Sequence, residues 1–242
     1  MFDPAELILT ALAVLITLAI HEYSHAYAAY KLGDDTAKNF GRLTLNPIKH
    51  IDPIGALCML FFHVGWAKPV PINARNFKNP KRDFAISALA GPLSNLILAF
   101  VFSGIYVFVW NIFFGMEFES EMHLTLAQNL LLFLSLFFSV NVGLGIFNLL
   151  PIPPFDGSRL LNVIFPPKIY FGIMKYERQI YFCVLGWLLL GDYAAMGIRS
   201  LPFVASSPLL YNLAGILSLS DMLGYAIGFI ADKMIDFWLL FI

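Results

Sequence analysis

The stretch LAIHEYSHAYAAY, residues 18–30, determines how the rest of the chain is interpreted. It places the polar motif His21-Glu22-x-x-His25 inside one of the most apolar parts of the sequence. Four residues of α-helix rise about 6 Å and return to nearly the same face, so the two imidazoles project together. Ionisable groups in an apolar helix are energetically costly, and they indicate a functional site rather than ordinary packing.

The composition indicates a membrane protein. Of the 242 residues, 59% are hydrophobic and only 13% are charged, whereas a soluble domain has about 25% charged residues. Residues 205–242 are apolar but interrupted, and they predict one or two spans or a surface helix. The sequence therefore predicts an all-α polytopic membrane protein with about five or six transmembrane helices. The four clear spans are 5–30, 84–114, 124–150 and about 179–198.

Residues 41–77 predict a different kind of element. The apolar run 54–66 is too short for a comfortable span, and it suits a short helix, a re-entrant segment or a strand. Residues 41–48 and 67–77 alternate in polarity like short strands, although their prolines also suit surface loops. We therefore expect a short re-entrant or β element in the region 41–77.

Basic residues predict the orientation of the chain. Residues 31–83 hold nine of the fifteen lysines and arginines, and residues 156–178 hold four more. The stretch 115–123 has none and carries three glutamates. The N-terminus and residues 115–123 are thus predicted outside, with both basic loops in the cytoplasm. A net charge of −1 gives no indication of nucleic-acid binding.

The spacing of His21-Glu22-x-x-His25 predicts a catalytic zinc site. In zinc proteases with this motif both histidines bind the metal, and the glutamate is the general base that activates a bound water. The alternative is a polar patch that packs between helices without metal, which would need another compensating partner. His21 lies about 24 Å along a helix that begins near Ala5, so the site is expected on the cytoplasmic side of the bilayer centre.

Catalytic zinc usually has three protein ligands and one water, so a third ligand must come from elsewhere in the chain. Asp156 is the main candidate, because it follows the third long span at its cytoplasmic end and reaches the same membrane depth as His25. The weaker candidates lie in a basic loop, in the short apolar segment or on the outer side: His50, His63, His123, Glu117, Glu119 and Glu121.

The residues around Asp156 suit a loop that carries a ligand. Pro151, Pro153 and Pro154 cannot continue a helix and favour extended chain. Gly157 permits a turn, so the loop can return toward the metal. The alternative is a turn that ends one helix and whose aspartate caps the next.

With both motifs placed, the chain resembles the site-2 protease family of intramembrane zinc metalloproteases, peptidase family M50. The resemblance rests on HEYSH at 21–25, NLLPIPPFDG at 148–157 and AGPLSN at 90–95. These motifs lie within residues 21–157, and no recognised motif follows about residue 165. The chain is similar to the compact prokaryotic branch of the family, which has neither PDZ nor CBS domains.

The resemblance implies a role for each matched residue. Glu22 would be the catalytic base. Asn148 would help to bind substrate or stabilise the oxyanion, since a side-chain amide can donate to the developing charge. Asn95, early in a membrane helix, can instead simply bridge helices through hydrogen bonds. The ligands of one Zn²⁺ would be His21, His25 and Asp156.

The resemblance also implies an activity and a location. We expect one membrane-embedded domain over residues 1–242, with a catalytic core at about 5–165 and accessory helices at about 170–242. It would lie in the prokaryotic cell membrane and cleave transmembrane segments of single-pass or signal-peptide-like proteins. A helical substrate must unwind to be cut, and residues 41–48 or 67–77 are expected to bind it by strand addition.

Three other interpretations fit parts of the sequence. A membrane metal-binding or metal-transport protein would need further ligands along the outer halves of the spans, and the sequence offers none there. An inactive scaffold that binds transmembrane clients would normally lose the zinc residues or the glutamate. A peptidase of the prenyl-protein type would take a downstream glutamate as third ligand, and only Glu177 is available, in a basic context that suits a surface ion pair.

Overall fold

The computed structural model describes residues 3–53, 55, 67–118, 120–215 and 218–242. Within these ranges the chain is built from helices, and its one β-type pairing is an isolated antiparallel bridge between Ile51 and Ala67. The α-helices are α1 (Pro4–Lys31), α2 (Thr36–Asn39), α3 (Pro80–Phe113), α4 (Glu121–Asn148), α5 (Leu161–Ile164), α6 (Pro167–Met174), α7 (Glu177–Arg199), α8 (Pro202–Ala205), α9 (Pro208–Ala214) and α10 (Leu219–Leu239). Short 3-10 helices cover Pro47–Lys49, Ala74–Asn76 and Asp156–Leu160.

Four helices are long and apolar enough to cross a membrane: α1, α3, α4 and α7. They coincide with the four clear predicted spans, so the all-α polytopic membrane architecture is confirmed. Helices α9 and α10 make a fifth candidate only if they count as one span, and they are bent by 102° at the break between them. The described residues therefore hold four or five spans, where the sequence predicted about five or six.

The region 41–77 contains little regular structure where the structure describes it. Residues 41–48 run into the 3-10 helix Pro47–Lys49, and residues 67–73 form an open segment beyond the bridge at Ala67. The strands expected at 41–48 and 67–77 are thus reduced to that single bridge. The re-entrant or β element expected within 54–66 falls, apart from residue 55, outside the described residues.

Helices α1, α3 and α4 form the central bundle, and small residues let them approach closely. A Cβ added at Gly145 of α4 would lie 2.8 Å from Leu96 Cδ2 and 3.3 Å from the Pro92 carbonyl oxygen of α3. On α1 the buried positions are mostly small as well: Ala13, Thr17, Ala19, Ala26 and Ala29. Lipid tails give little hydrophobic drive between helices, so close backbone packing is what holds such a bundle together.

Helix α10 packs against α3 and α4 of the central bundle. Its apolar residues cover a buried cluster of Ala99, Phe138 and Val142. The Trp238 indole N–H donates to the Phe100 carbonyl oxygen at 3.0 Å. A Cβ at Gly104 would lie 2.7 Å from the Trp238 ring, so this glycine makes room for the indole. The C-terminal region therefore supports the core through packing.

A buried aspartate ties the C-terminal end of α1 to the open segment. Asp34 is fully buried and accepts hydrogen bonds from the Asn73 backbone N–H and the Asn76 side-chain amide, both at 2.7 Å. It also accepts from the Thr36 backbone N–H at 3.1 Å. These bonds fix residues 67–76 beside the last turns of α1, which is where the motif lies.

Candidate metal centre

One face of α1 carries the polar residues into the bundle. Thr17, His21 and His25 follow at intervals of four residues, and all three are buried. The helix begins with Asp3 as its N-cap, which accepts from the Ala5 backbone N–H at 2.9 Å, and Pro4 occupies its first position. The helix then runs without a break through the motif, so its 3.6-residue period alone brings both imidazoles to the same face.

Three potential ligand atoms converge at this face. His21 Nε2 and His25 Nε2 lie 3.0 Å apart, and Asp156 Oδ2 lies 3.1 Å from the first and 3.2 Å from the second. Tetrahedral zinc with bonds of about 2.0–2.1 Å holds its ligand atoms about 3.3 Å apart. Among the described residues this is the one cluster of His, Cys, Asp or Glu side chains that could hold a metal. Its two imidazoles and one carboxylate fit zinc.

The loop after α4 brings Asp156 back to α1. Residues 149–155 lead away from the helix and turn, and Gly157 then packs against the Leu149 carbonyl oxygen. A Cβ added at Gly157 would lie only 2.2 Å from that oxygen. Any side chain at Gly157 would push the loop out of place. Phe155 packs on Phe147 with ring centroids 4.3 Å apart, which adds a second anchor to α4.

The structure also bears on the capping alternative for Asp156. Asp156 is the first residue of the 3-10 helix Asp156–Leu160, whose N-cap is Phe155, and this helix has no side-chain cap bond. The carboxylate points instead to His21 and His25. Burial would raise the pKa of this carboxyl, but the neighbouring imidazoles of His21 and His25 outweigh burial and hold the pKa well below its ordinary value. The group is therefore an ionised acceptor, as a metal ligand must be.

Helix α3 contacts the outer nitrogens of both imidazoles. His25 Nδ1 lies 2.8 Å from the Ser87 carbonyl oxygen, and His21 Nδ1 lies 3.1 Å from Asn95 Nδ2. A carbonyl oxygen only accepts, so His25 carries its proton on Nδ1 and leaves the Nε2 lone pair for a metal. Between these contacts lies Gly91, where a Cβ would come within 2.4 Å of His25 Nε2.

Glu22 lies beside the ligands without joining them. It is 8% exposed, and its Oε2 accepts a hydrogen bond of 3.1 Å from the Val70 backbone N–H in the open segment 67–73. The potential metal cluster contains both histidines of the motif but not Glu22. The carboxylate is thus held next to the site by a backbone donor from a different part of the chain.

A cavity of about 780 Å³ opens onto these residues. Its polar lining comes from the motif, Asn148, Asp156 and Arg159, and the rest is largely apolar. Two other parts of the chain contribute walls. The open segment contributes Ala67, Pro69, Val70 and Ile72, and the first half of α7 contributes Tyr181, Val184, Leu185 and Leu188. A mostly apolar chamber with one polar end can hold an apolar peptide against a hydrolytic centre.

Asn148, the last residue of α4, lies in the cavity wall. It is half-buried, and its amide nitrogen donates to the Leu144 carbonyl oxygen at 3.1 Å. The structure thus brings Asn148 to the same cavity as the three potential ligands and Glu22. All five predicted site residues meet there.

The other candidate ligands lie elsewhere. His50 is buried, with Nε2 2.8 Å from the Thr44 carbonyl oxygen, and His123 is in the first turn of α4. Glu177 forms an ion pair of 2.6 Å with Arg159, so it is paired as predicted, but the pair is partly buried and its partner lines the cavity rather than belonging to the basic stretch around Glu177. His63 falls outside the described residues.

Sequence reasoning missed several residues at the site. Ser87 acts through a backbone carbonyl and Val70 through a backbone N–H, so no side chain marks either in the sequence. Gly91 and Asn95 were visible in the stretch AGPLSN, but their contact with the imidazoles depends on how α3 lies against α1.

Comparison with known proteins places the sequence in a family. The sequence profile of peptidase family M50 matches residues 9–169, a range that includes all the potential ligands. No solved structure matches the chain.

Several curated proteins are similar in sequence to this chain. A Bacillus subtilis protein named "Putative zinc metalloprotease YwhC" is 43% identical over 184 residues, which cover 75% of this chain and 81% of the relative. A Mycolicibacterium smegmatis protein named "Putative zinc metalloprotease Rip2" is 30% identical over 64% of this chain and 56% of its own length. A Methanocaldococcus jannaschii protein named "Putative zinc metalloprotease MJ0611" is 33% identical over 45% of this chain and 49% of its own length.

Proposed function

The chain belongs to peptidase family M50, and from this premise we propose that it is an intramembrane zinc endopeptidase that cuts transmembrane segments of other membrane proteins. The observation that carries the proposal is the meeting of His21, His25 and Asp156 within one small cluster, with Glu22 beside it in the same cavity. The family and the four apolar helices support a multi-pass membrane metalloprotease.

Zinc is the cofactor that this site would hold. The ligands would be the Nε2 atoms of His21 and His25 and the carboxylate of Asp156, and the relatives named as zinc metalloproteases support the same metal. Bound zinc supplies Lewis-acid chemistry, because it makes water acidic near neutral pH and polarises a peptide carbonyl. The three protein ligands leave a fourth position for water or substrate, as catalytic sites require.

Glu22 would act as the general base and then as the general acid. It takes a proton from the attacking water and later gives a proton to the amine nitrogen that leaves the broken peptide bond. The Val70 N–H bond at Oε2 supports this role, because it orients the carboxylate while leaving Oε1 available. Its burial at 8% exposure keeps the group in the cavity rather than in bulk water.

Asn148 would bind the substrate or stabilise the oxyanion. Its side chain lies in the cavity wall at the end of α4, from which the loop to Asp156 begins. Rotation of the side chain away from the Leu144 carbonyl oxygen would free the amide N–H groups for a substrate carbonyl. This role makes Asn148 a catalytic residue that contacts the reacting group without binding the metal.

The substrate would lie extended between the open segment 67–73 and α7. A transmembrane helix bonds its own carbonyls, so the scissile region must unwind before it can be attacked. The open segment is held by Asp34 and reaches Glu22 through Val70, which suits a backbone edge for strand addition. Apolar side chains of the substrate would then contact the apolar walls, which include Leu185 and Leu188.

The cavity would open toward the cytoplasm. The ligands lie in the C-terminal half of α1 and just after α4, and the adjoining loops carry most of the basic residues. By the positive-inside rule both loops are cytoplasmic and the N-terminus is outside. Water would therefore enter from the cytoplasmic side, which explains how hydrolysis takes place inside an apolar bundle. The membrane would be the prokaryotic cell membrane.

Metal transport remains the second candidate, and the structure offers less for it. A transport path needs ligands at several depths, whereas the described residues contain one cluster of potential ligands. Two other buried polar residues of the bundle, Thr17 and Asn141, bond to each other at 2.8 Å. They bridge helices and do not line a path.

Cleavage of a membrane substrate tests the proposal. Purified protein in liposomes is mixed with a single-pass substrate, beside the Glu22→Gln variant, and zinc is measured in both. We expect wild-type cleavage, a loss of about 10²–10⁴-fold in the variant and equal zinc contents. Zinc in both proteins with equal cleavage would reject Glu22 as the base. No zinc in the wild-type protein would reject the proposed function.

A further inference from the structure

We propose that Asn95 is a positioning residue for the metal ligand His21. The amide oxygen of Asn95 accepts a hydrogen bond from Nδ1–H of His21 and holds the imidazole with Nε2 directed at the metal. The inference rests on the proposed function, and it gives the AGPLSN stretch a chemical role. A helix-bridging role, which was the alternative from the sequence, would leave zinc binding unaffected.

The contact is direct and fully buried. Asn95 Nδ2 lies 3.1 Å from His21 Nδ1, and the Asn95 side chain has no exposed surface. The Asn95 amide has no second hydrogen-bond partner, since Oδ1 is unpaired among the described residues. Among the described residues, the Asn95 amide therefore has its hydrogen-bond contact with the His21 imidazole alone.

The chemistry of a metal-bound imidazole determines which end of the amide faces His21. A neutral imidazole that gives its Nε2 lone pair to a metal carries its proton on Nδ1, and that proton needs an acceptor. Of the two ends of an amide, only the oxygen accepts. Rotation of the Asn95 amide by 180° exchanges oxygen and nitrogen at nearly the same positions, so Oδ1 takes the place 3.1 Å from Nδ1 without any movement of the helices.

His25 shows the same arrangement with a backbone acceptor. Its Nδ1 lies 2.8 Å from the Ser87 carbonyl oxygen. Ser87, Gly91 and Asn95 follow at intervals of four residues, so they share one face of α3. Gly91 allows both rings to lie against this face, because a Cβ there would come within 2.8 Å of His21 Cε1 as well as contacting His25. One face of α3 thus orients both histidine ligands.

A second buried asparagine provides a matched control. Asn141 of α4 is also fully buried, and its amide donates to Thr17 of α1 at 2.8 Å, one turn before His21. Asn141 therefore bridges helices, as Asn95 would in the alternative, but it does not contact an imidazole. Its replacement affects the packing of α1 without removing an imidazole partner.

A measurement of zinc affinity distinguishes a positioning role of Asn95 for His21 from a helix-bridging role. The full-length protein in detergent is stripped of metal and titrated with zinc against a chromophoric chelator, and the melting temperature of the metal-free protein is recorded. The variants are Asn95→Leu, which removes the acceptor, Asn95→Asp, which retains it, and Asn141→Leu. We expect zinc affinity to fall by about 10–100-fold in Asn95→Leu, to stay near wild type in Asn95→Asp and to be unchanged in Asn141→Leu.

Each other outcome has a definite meaning. Wild-type zinc affinity in Asn95→Leu overturns the inference, and so does an equal loss in Asn95→Leu and Asn95→Asp. Should Asn95→Leu not fold, Asn95→Ala removes the same acceptor without added bulk and is held to the same criterion. Absence of zinc from the wild-type protein is the distinct failure, because it rejects the proposed function itself.

Discussion

His21 Nε2 and Asp156 Oδ2 lie 3.1 Å apart although 135 positions separate the two residues in the chain. The histidine is held by the continuous helix α1. The aspartate lies at the end of a proline-containing loop that leaves α4 and folds back. Two different kinds of backbone thus meet at one point. Ionisable side chains inside an apolar bundle cost free energy, so a histidine and a carboxylate that meet there indicate a functional site.

Replacement of Asp156 by Asn tests the third ligand. The substitution keeps the size of the side chain but removes its charge, so we expect zinc affinity to fall by more than the roughly 100-fold cost of losing an outer partner. The matched variant is Glu177→Gln, which breaks the ion pair with Arg159. We expect Glu177→Gln to keep its zinc. Metal analysis of both purified variants is the measurement, and wild-type zinc content in Asp156→Asn would reject Asp156 as a ligand.

A methyl group at Gly91 is expected to abolish the metal site. In Gly91→Ala the new Cβ would approach His25 Nε2 to 2.4 Å, so the imidazole must leave its position. We expect the protein to retain its helices but to lose zinc and activity. Gly143→Ala is the control, since the nearest atom to its Cβ is Ile227 Cδ1 at 3.7 Å. Circular dichroism and zinc content are the measurements, and full zinc occupancy in Gly91→Ala would contradict the packing of α1 on α3.

Asp34→Asn is expected to loosen the open segment. In the wild-type protein the Asn73 N–H donates to Asp34 Oδ2. The substitution places a second donor, the amide NH₂, against this N–H, and the lost hydrogen bond should cost about 1–3 kcal/mol of stability. We expect faster hydrogen exchange over residues 67–76 and weaker cleavage with zinc retained. Asp35→Asn is the control, because Asp35 is exposed and makes no cap hydrogen bond. Equal exchange in both variants would show that Asp34 does not hold the segment.

The ionisation of Asp34 determines how the open segment responds to acid. Burial would raise the pKa of Asp34, but the hydrogen bonds from Thr36, Asn73 and Asn76 outweigh burial and hold the pKa below its ordinary 3.8. A depressed pKa in the folded state gives stability that is fully present above 3.8 and is lost as pH falls through the folded value. Hydrogen exchange of residues 67–76 should therefore show no contribution from Asp34 ionisation between pH 5 and pH 8. A transition in that range that disappears in Asp34→Asn would contradict this.

The sequence predicts the membrane helices and the ligand set for physical reasons. Spanning helices need long apolar runs, and four such runs coincide with α1, α3, α4 and α7. The imidazoles of His21 and His25 share a face because of helix geometry alone. Asp156 could be selected because its depth follows from counting spans and basic residues, and the structure brings it to both histidines.

Other features could not be predicted because they depend on contacts between distant backbones. The Val70 N–H reaches Glu22 only because Asp34 anchors the segment that follows. The Ser87 carbonyl reaches His25 only because Gly91 lets α1 and α3 approach. The strands expected at 41–48 and 67–77 are reduced to the bridge between Ile51 and Ala67, because turn-forming prolines and asparagines outweigh the alternation.

The position of the cut within the substrate tests the central claim most directly. A single-pass substrate is incubated with the wild-type protein in liposomes, and mass spectrometry identifies both new ends, with Glu22→Gln as the control. The proposed intramembrane endopeptidase predicts one or a few cuts inside the apolar segment, on its cytoplasmic half, and none in the control. Cuts confined to the water-exposed flanks of the segment, or the same cuts in Glu22→Gln, would contradict the account.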